Sequence, residues 1–286
     1  ILVKLIYRHG VDPATLIMLR MVLALPFFLV MVWWASRQSH ARANPLSRHD
    51  AQAIVGLGFL GYYFASYLDF LGLQYITASL ERLILYLNPT LVLMLGWVLH
   101  KQAVSGRRIA AMALSYAGVL VVFGHEVSLE GPHVTLGVGL VFCSALAYAL
   151  YLIFSGQMVK RIGSMRLVGW ASSAACVFSL IQFVVVQPMS VSEIPPAVWS
   201  LSLTNAVFCT VAPVLMVMMA VERIGPGPVS YTHLRPGLTA QAGMVGPMST
   251  VILGVLVLNE PFNQWVILGT LLVLSGVYMV SRLGGK

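Results

Sequence analysis

The sequence predicts an all-α integral membrane protein, a ten-helix inverted-repeat (5+5) bundle with nine full spans present and most of helix 1 missing. Three observations carry that prediction. Composition is the first: 59% of residues are hydrophobic, 9% are charged and mean hydropathy is +0.88, too apolar for a 286-residue chain to hide in one water-soluble core. Segment length is the second. Apolar stretches matching the roughly 20 residues that cross a bilayer lie at 13–35, 52–74, 77–99, 107–123, 136–156, 167–187, 198–220, 238–258 and 264–281. Alternating strand patterns of barrel type are absent, so these spans are expected to be helices. Internal repetition is the third. Ile76 matches Ile224 at an offset of 148, and Leu80, Pro89, Gly96, Ile109, Leu114, Gly118 and Val119 match Leu238, Pro247, Gly254, Ile267, Leu272, Gly276 and Val277 at an offset of 158.

Taken in order, Ile1 to Gly10 align with Phe154 to Gly163, which close the helix beginning near Leu136. The chain is therefore expected to start within the first of ten helices. Residues 1–125 form one five-helix repeat and 136–286 the second, and an odd number of spans per repeat inverts the second copy. Upstream of Gly227 the offset is 148 and downstream of Leu238 it is 158, so Pro228 to Gly237 reads as a ten-residue insertion. It resembles translated linker sequence and is set aside from functional reasoning.

Loop charge tests the same topology. Arg37, Arg42 and Arg48 follow the second helix, Lys101, Arg107 and Arg108 the fourth, Lys160, Arg161 and Arg166 the sixth, and Arg282 and Lys286 the tenth. The intervening loops hold Glu126 and Glu130, then Glu193, then Glu260. By the positive-inside rule the basic loops and the C-terminus are cytoplasmic, with Lys4 and Arg8 the one mismatch. The net charge of +8 is thus mostly topology, and nucleic acid is not expected as a partner. Trp33, Trp34 and Trp97 fall near helix ends, as interfacial anchors do. Cys143, Cys176 and Cys209 lie in separate spans without CxxC spacing, so neither a disulfide framework nor a metal site is expected.

Ionisable residues inside the spans need a reason, because charge is expensive in hydrocarbon. Arg20, Asp69, Glu81 and Arg82 are such residues, and all lie within roughly 6–12 Å of the outer ends of their spans at 1.5 Å per residue. A single mutually neutralising layer is expected. The second repeat carries Val217, Thr239 and Ala240 opposite the last three, and Ser173 near the position of Arg20. Either the four lock helices together, or Glu81 or Asp69 titrates or binds a ligand with an arginine tuning it. Glu81 is preferred, because it sits one turn into the helix that Asn88-Pro89 kinks. A mid-helix proline frees a carbonyl, here around Leu85 and, in the second copy, Gly243. Those carbonyls with Tyr86, Asn88, Pro89, Gln241 and Pro247 are candidates to line a central pathway. Tyr62, Tyr63, Tyr67, Tyr148 and Tyr151 add rings able to stack on an organic solute or merely to pack.

The stretch GYYFASYLDFLGLQYITASLERLILYLNPTLVLMLGWVLHKQAVSGRRIAAMALSYAGVLVVF, Gly61 to Phe123, resembles the first repeat of EamA-domain proteins in the drug/metabolite transporter superfamily. Ala240 to Val280 resembles the second, with Asn259-Glu260-Pro261 where that family usually has Gly-Glu-Pro. The resemblance implies a ten-helix inverted-repeat secondary transporter of the bacterial inner membrane, an exporter of small organic solutes such as amino acids, metabolites or drugs working by alternating access. A channel-like facilitator, or a membrane scaffold or receptor without transport, is the alternative. The expected partners are membrane lipids and the solute; no cofactor is expected, and proton coupling is open. Enzymatic motifs such as HExxH and GxGD are absent, and His125, Glu126, Glu130 and His133 read as a solvated outer loop rather than a metal site.

Overall fold

The computed structural model describes residues 1–37, 46–100, 105–130, 133–186, 194–224, 248–260 and 263–283, and these are helical with short connections. The helices are α1 (Leu2–Tyr7), α2 (Pro13–Arg37), α3 (Arg48–Gly72), α4 (Ala78–Leu99), α5 (Gly106–Glu130), α6 (His133–Ile162), α7 (Ser164–Val186), α8 (Pro196–Arg223), α9 (Met248–Leu258) and α10 (Gln264–Leu283). Among the described residues, α2 to α8 are long and apolar enough to cross a membrane, and α9 and α10 add shorter apolar helices. Seven of the nine predicted spans have a helix of crossing length, and α9 and α10 fall within the other two, of which 238–247 lie outside the described residues. Phe208 and Leu256 remain 71% and 72% exposed, which suits a lipid solvent rather than water.

Local chemistry starts these helices where the sequence changes character. Asp12 takes the backbone N–H groups of Ala14 and Thr15 at 2.9 and 3.0 Å, capping α2. Ser47 and Asp50 form a reciprocal capping box at the start of α3. Thr77 accepts from the Leu80 N–H at 3.1 Å at the start of α4, and Asn263 accepts from Trp265 and Val266 at the start of α10. Tight turns before α2 and α7 need φ above zero, and Gly10 (75°) and Gly163 (85°) supply it. These two glycines are equivalent in the repeat alignment.

The helices segregate into two compact units, each drawing on both repeats. Residues 71–150 and 227–286 make one, which holds α4, α5, the front of α6, α9 and α10. Its core joins Ile76, Leu80, Leu83, Ile84 and Leu87 to Val119, Val122, Val273 and Val277. The α5–α10 crossing is the extensive contact here. Backbone meets backbone along it: a Cβ on Gly118 would lie 2.6 Å from the Gly269 carbonyl oxygen, and one on Gly276 would lie 2.5 Å from that of Ala111. Gly118 is equivalent to Gly276 and Ala111 to Gly269, so the crossing repeats itself about its own midpoint. Close approach of small residues is how helices associate without a hydrophobic driving force in lipid.

Residues 2–70 and 151–226 make the other unit, with α1, α2, most of α3, the back of α6, α7 and α8. Here α2 and α7, again repeat equivalents, form the extensive pair. Two π-helical turns interrupt this unit's outer helices, Phe59–Phe64 in α3 and Val207–Val211 in α8. They coincide at the 148-residue offset. The first packs on α7 and the second on α2, so each bulge rests on the central helix of the other repeat. Single π turns recur at functional sites because they re-aim side chains within an otherwise regular helix.

Candidate functional site

In the first unit α4 is broken into Ala78–Leu85 and a continuation from Asn88, with Tyr86 and Leu87 between them. Pro89 has no N–H for the Leu85 carbonyl four residues back. The side-chain amide of Asn88 donates to that carbonyl at 2.9 Å instead, so the oxygen expected to be free is satisfied locally. Below the break, the Thr90 hydroxyl donates to Leu87 O at 2.7 Å. What the break leaves over is the Asn88 Oδ1, buried without a donor among the described residues.

Glu81 lies in the first turn of α4, 6% exposed, and its carboxylate takes no hydrogen bond or ion pair among the described residues. Arg82 Nε is likewise buried without an acceptor. Adjacent residues on a helix diverge by about 100°, so this Glu and Arg do not face one another. Two other carboxylates hold the start of the helix. Glu126 accepts from the Thr77 hydroxyl, and Glu260 accepts from the N–H groups of Ala78 and Ser79 at 2.6 and 3.2 Å and from the Ser79 hydroxyl at 2.7 Å. A helix N-terminus favours such anions through its exposed N–H groups and dipole. Gly254 leaves the room: a Cβ there would lie 2.8 Å from a Glu260 carboxylate oxygen.

The loop assigned to His125, Glu126, Glu130 and His133 is corrected by these contacts. Helix α5 continues to Glu130, and Glu126 is 6% exposed rather than solvated. His125 faces Asn263 at 2.8 Å, and no metal-binding group of three His, Cys, Asp or Glu occurs among the described residues. Asn259 adopts φ 57° at the turn out of α9. Asparagine is the non-glycine residue best suited to that left-handed region, which accounts for its standing where glycine is usual.

Arg20 and Asp69 belong to the second unit, not to the one that carries Glu81 and Arg82. They interact electrostatically, and Arg20 lies 4.6 Å over the Phe70 ring. Tyr7 donates to the Phe70 carbonyl at 2.7 Å. Further along α3, the hydroxyls of Tyr62 and Tyr151 contact each other with both rings buried, while Tyr63 stacks on Tyr67 and tilts against Phe178. A Gly61 side chain would collide with the Tyr151 ring, so the bulged turn of α3 is fitted to that tyrosine. Sequence reasoning found these tyrosines singly but not their pairing. Asn205 was missed altogether, although it is 4% exposed with its Nδ2 unpaired among the described residues. Gln241, Pro247 and the 228–237 insertion lie outside the described residues.

Comparison with known proteins agrees with this architecture. An uncharacterized transporter of Bacillus subtilis, YcbK, is 26% identical over 97% of this chain and 85% of its own length. An uncharacterized transporter of Archaeoglobus fulgidus is 24% identical over 94% of this chain and 88% of its own. One solved crystal structure superposes with a TM-score of 0.65 at 15% identity, covering 96% of this chain and 88% of that one, which is a likeness of fold. The profile of the EamA-like transporter family matches residues 1–124 and again 135–282, the two repeats in turn. The chain is a multi-pass membrane protein that belongs to the EamA-like transporter family.

Proposed function

We propose that the protein is a secondary transporter that exports small organic solutes across the bacterial inner membrane by alternating access, with its C-terminus in the cytoplasm and Glu81 as its proton-coupling group. Family membership supports transport. The observation that carries the finer reading is Glu81 itself: an acidic residue 6% exposed, its carboxylate without a hydrogen-bond partner among the described residues, in a helix that breaks one turn later. A buried charge with no partner is costly unless it takes up a proton or a cation. Helices broken near a buried polar site are the recurrent device of transporters. The orphaned Asn88 Oδ1 at the break gives a solute donor somewhere to bind.

Flux into proteoliposomes under an imposed pH gradient, measured over a pooled panel of metabolites and drugs, tests this. Saturable flux that follows the gradient, and that loses its pH dependence in Glu81→Gln, is the expected result. Unitary currents with a charged solute would indicate a channel instead, and absence of flux from folded protein would indicate a scaffold or receptor.

A further inference from the structure

We propose that α2, α7 and α8 bind the carboxylate of an organic solute, with the Arg20 guanidinium as its principal donor and the Asn205 amide as the second. The argument starts from unspent hydrogen-bond donors. Arg20 is 8% exposed, yet its Nε and Nη2 have no acceptor among the described residues. Asn205 Nδ2 is in the same condition, and so are the hydroxyls of Ser172 and Ser179 on α7 and Ser202 on α8, all 1% exposed or less. Each buried polar group left unsatisfied costs about 1–3 kcal/mol. Five such residues on three packed helices are more than a native core ordinarily leaves unpaired.

Packing brings them to one place. Cys176 on α7 donates to the Met21 carbonyl at 3.2 Å, next in sequence to Arg20, and Ser172 and Ser179 stand one turn either side of that cysteine. On α8 the buried positions Val198, Ser202, Asn205 and Ala206 form one stripe, and this part of the helix packs on α2. The π turn Val207–Val211 begins just beyond Asn205, and within it the Thr210 hydroxyl donates back five residues to Asn205 O at 3.2 Å.

Charge selects the ligand. Donors without acceptors call for an acceptor, and an arginine among them calls for an anion, which a planar guanidinium fits as a carboxylate. Asp69 already interacts with Arg20, so a dianion is opposed more strongly than a monoanion. The inference rests on the transport reading only in calling the ligand a transported solute.

Binding by purified full-length protein in detergent separates the two. Thermal unfolding is followed with benzoate, benzamide, benzylamine and inorganic sulfate. Benzoate is expected to stabilise in a saturable way and the other three are not. Arg20→Met should weaken benzoate at least about tenfold, the loss of a charged hydrogen bond. Asn205→Leu should weaken benzoate by about three- to tenfold and serves if Arg20→Met does not fold. Equal stabilisation by sulfate assigns the site to inorganic anions and overturns the carboxylate. Stabilisation by benzylamine alone, by none of the four, or by benzoate undiminished in both variants overturns the site. Benzoate binding without flux of any carboxylate sinks the transport reading while the site stands; flux indifferent to Arg20 and Asn205 does the reverse.

Discussion

Replacing Gly118 by alanine places a methyl group 2.6 Å from the Gly269 carbonyl oxygen and 2.8 Å from the Val273 amide nitrogen. Both are backbone atoms, which cannot swing aside as a side chain does. Ordinary contact begins at 3.4 Å, so α5 and α10 must part by about 0.8 Å. Overpacking of this kind costs about 1–3 kcal/mol, against which alanine recovers about 1 kcal/mol of helix propensity over glycine. The net loss is then about 1 kcal/mol. Gly124 lies on the same helix with nothing within 4 Å, so alanine there only gains. The two variants should diverge by about 2 kcal/mol with opposite signs. At roughly 2–4 °C per kcal/mol for a chain of this size, melting followed by size-exclusion chromatography in one detergent should separate them by about 4–8 °C. A second consequence follows from the repeat. Gly276→Ala meets the Ala111 carbonyl oxygen at 2.5 Å, and one parting of the helices relieves both collisions, so the double variant should lose less than the two single losses added. Equal shifts for Gly118→Ala and Gly124→Ala would refute the reasoning, since then propensity and not backbone approach decides.

The broken helix offers a rescue. Asn88→Leu should destabilise by about 1–3 kcal/mol, because Leu85 O loses its donor. Asn88→Leu combined with Pro89→Ala should recover much of that by restoring a backbone N–H, and chemical denaturation in micelles reads the difference. At the α9 turn, Asn259→Gly should be near neutral in the same assay, whereas Asn259→Val should cost about 1–2 kcal/mol for its left-handed φ. Glu260→Ala strips Ala78 and Ser79 of their acceptor and should cost about 1–2 kcal/mol, as loss of a helix cap does; full retention of the melting temperature would contradict that role. Glu81→Gln should melt no lower than the parent while its flux becomes independent of pH, and a large drop in stability would make Glu81 a structural residue instead.

Repetition was the most legible property of the chain. The structure gives the aligned pair Gly10 and Gly163 the same positive φ, and the aligned pair Gly118 and Gly276 the same close approach to a neighbouring backbone. Other features escaped for physical reasons. Depth arithmetic placed Arg20, Asp69, Glu81 and Arg82 at one level, but height along a span says nothing of azimuth, and the four divide between two units. Glu126 looked like a loop residue because charge marks a span's end in lipid; a helix that runs past the hydrocarbon and caps a neighbour gives the same pattern. The π turns were invisible because both copies carry one at the same place. An extra residue common to both repeats leaves their alignment without a gap. Asn205 lacked a signal of its own, since a lone amide in an apolar run resembles a packing residue.

The exchange of helices between repeats governs how the protein comes into being. A ribosome finishes α2 long before α7 and α5 long before α10, yet each is the other's principal neighbour. Throughout synthesis of the first half, the glycine face of α5 and the guanidinium of α2 therefore wait in the bilayer without their counterparts. A chain halted midway exposes just those small and charged surfaces. Assembly waits for α10, and damage to α10 is felt in α5.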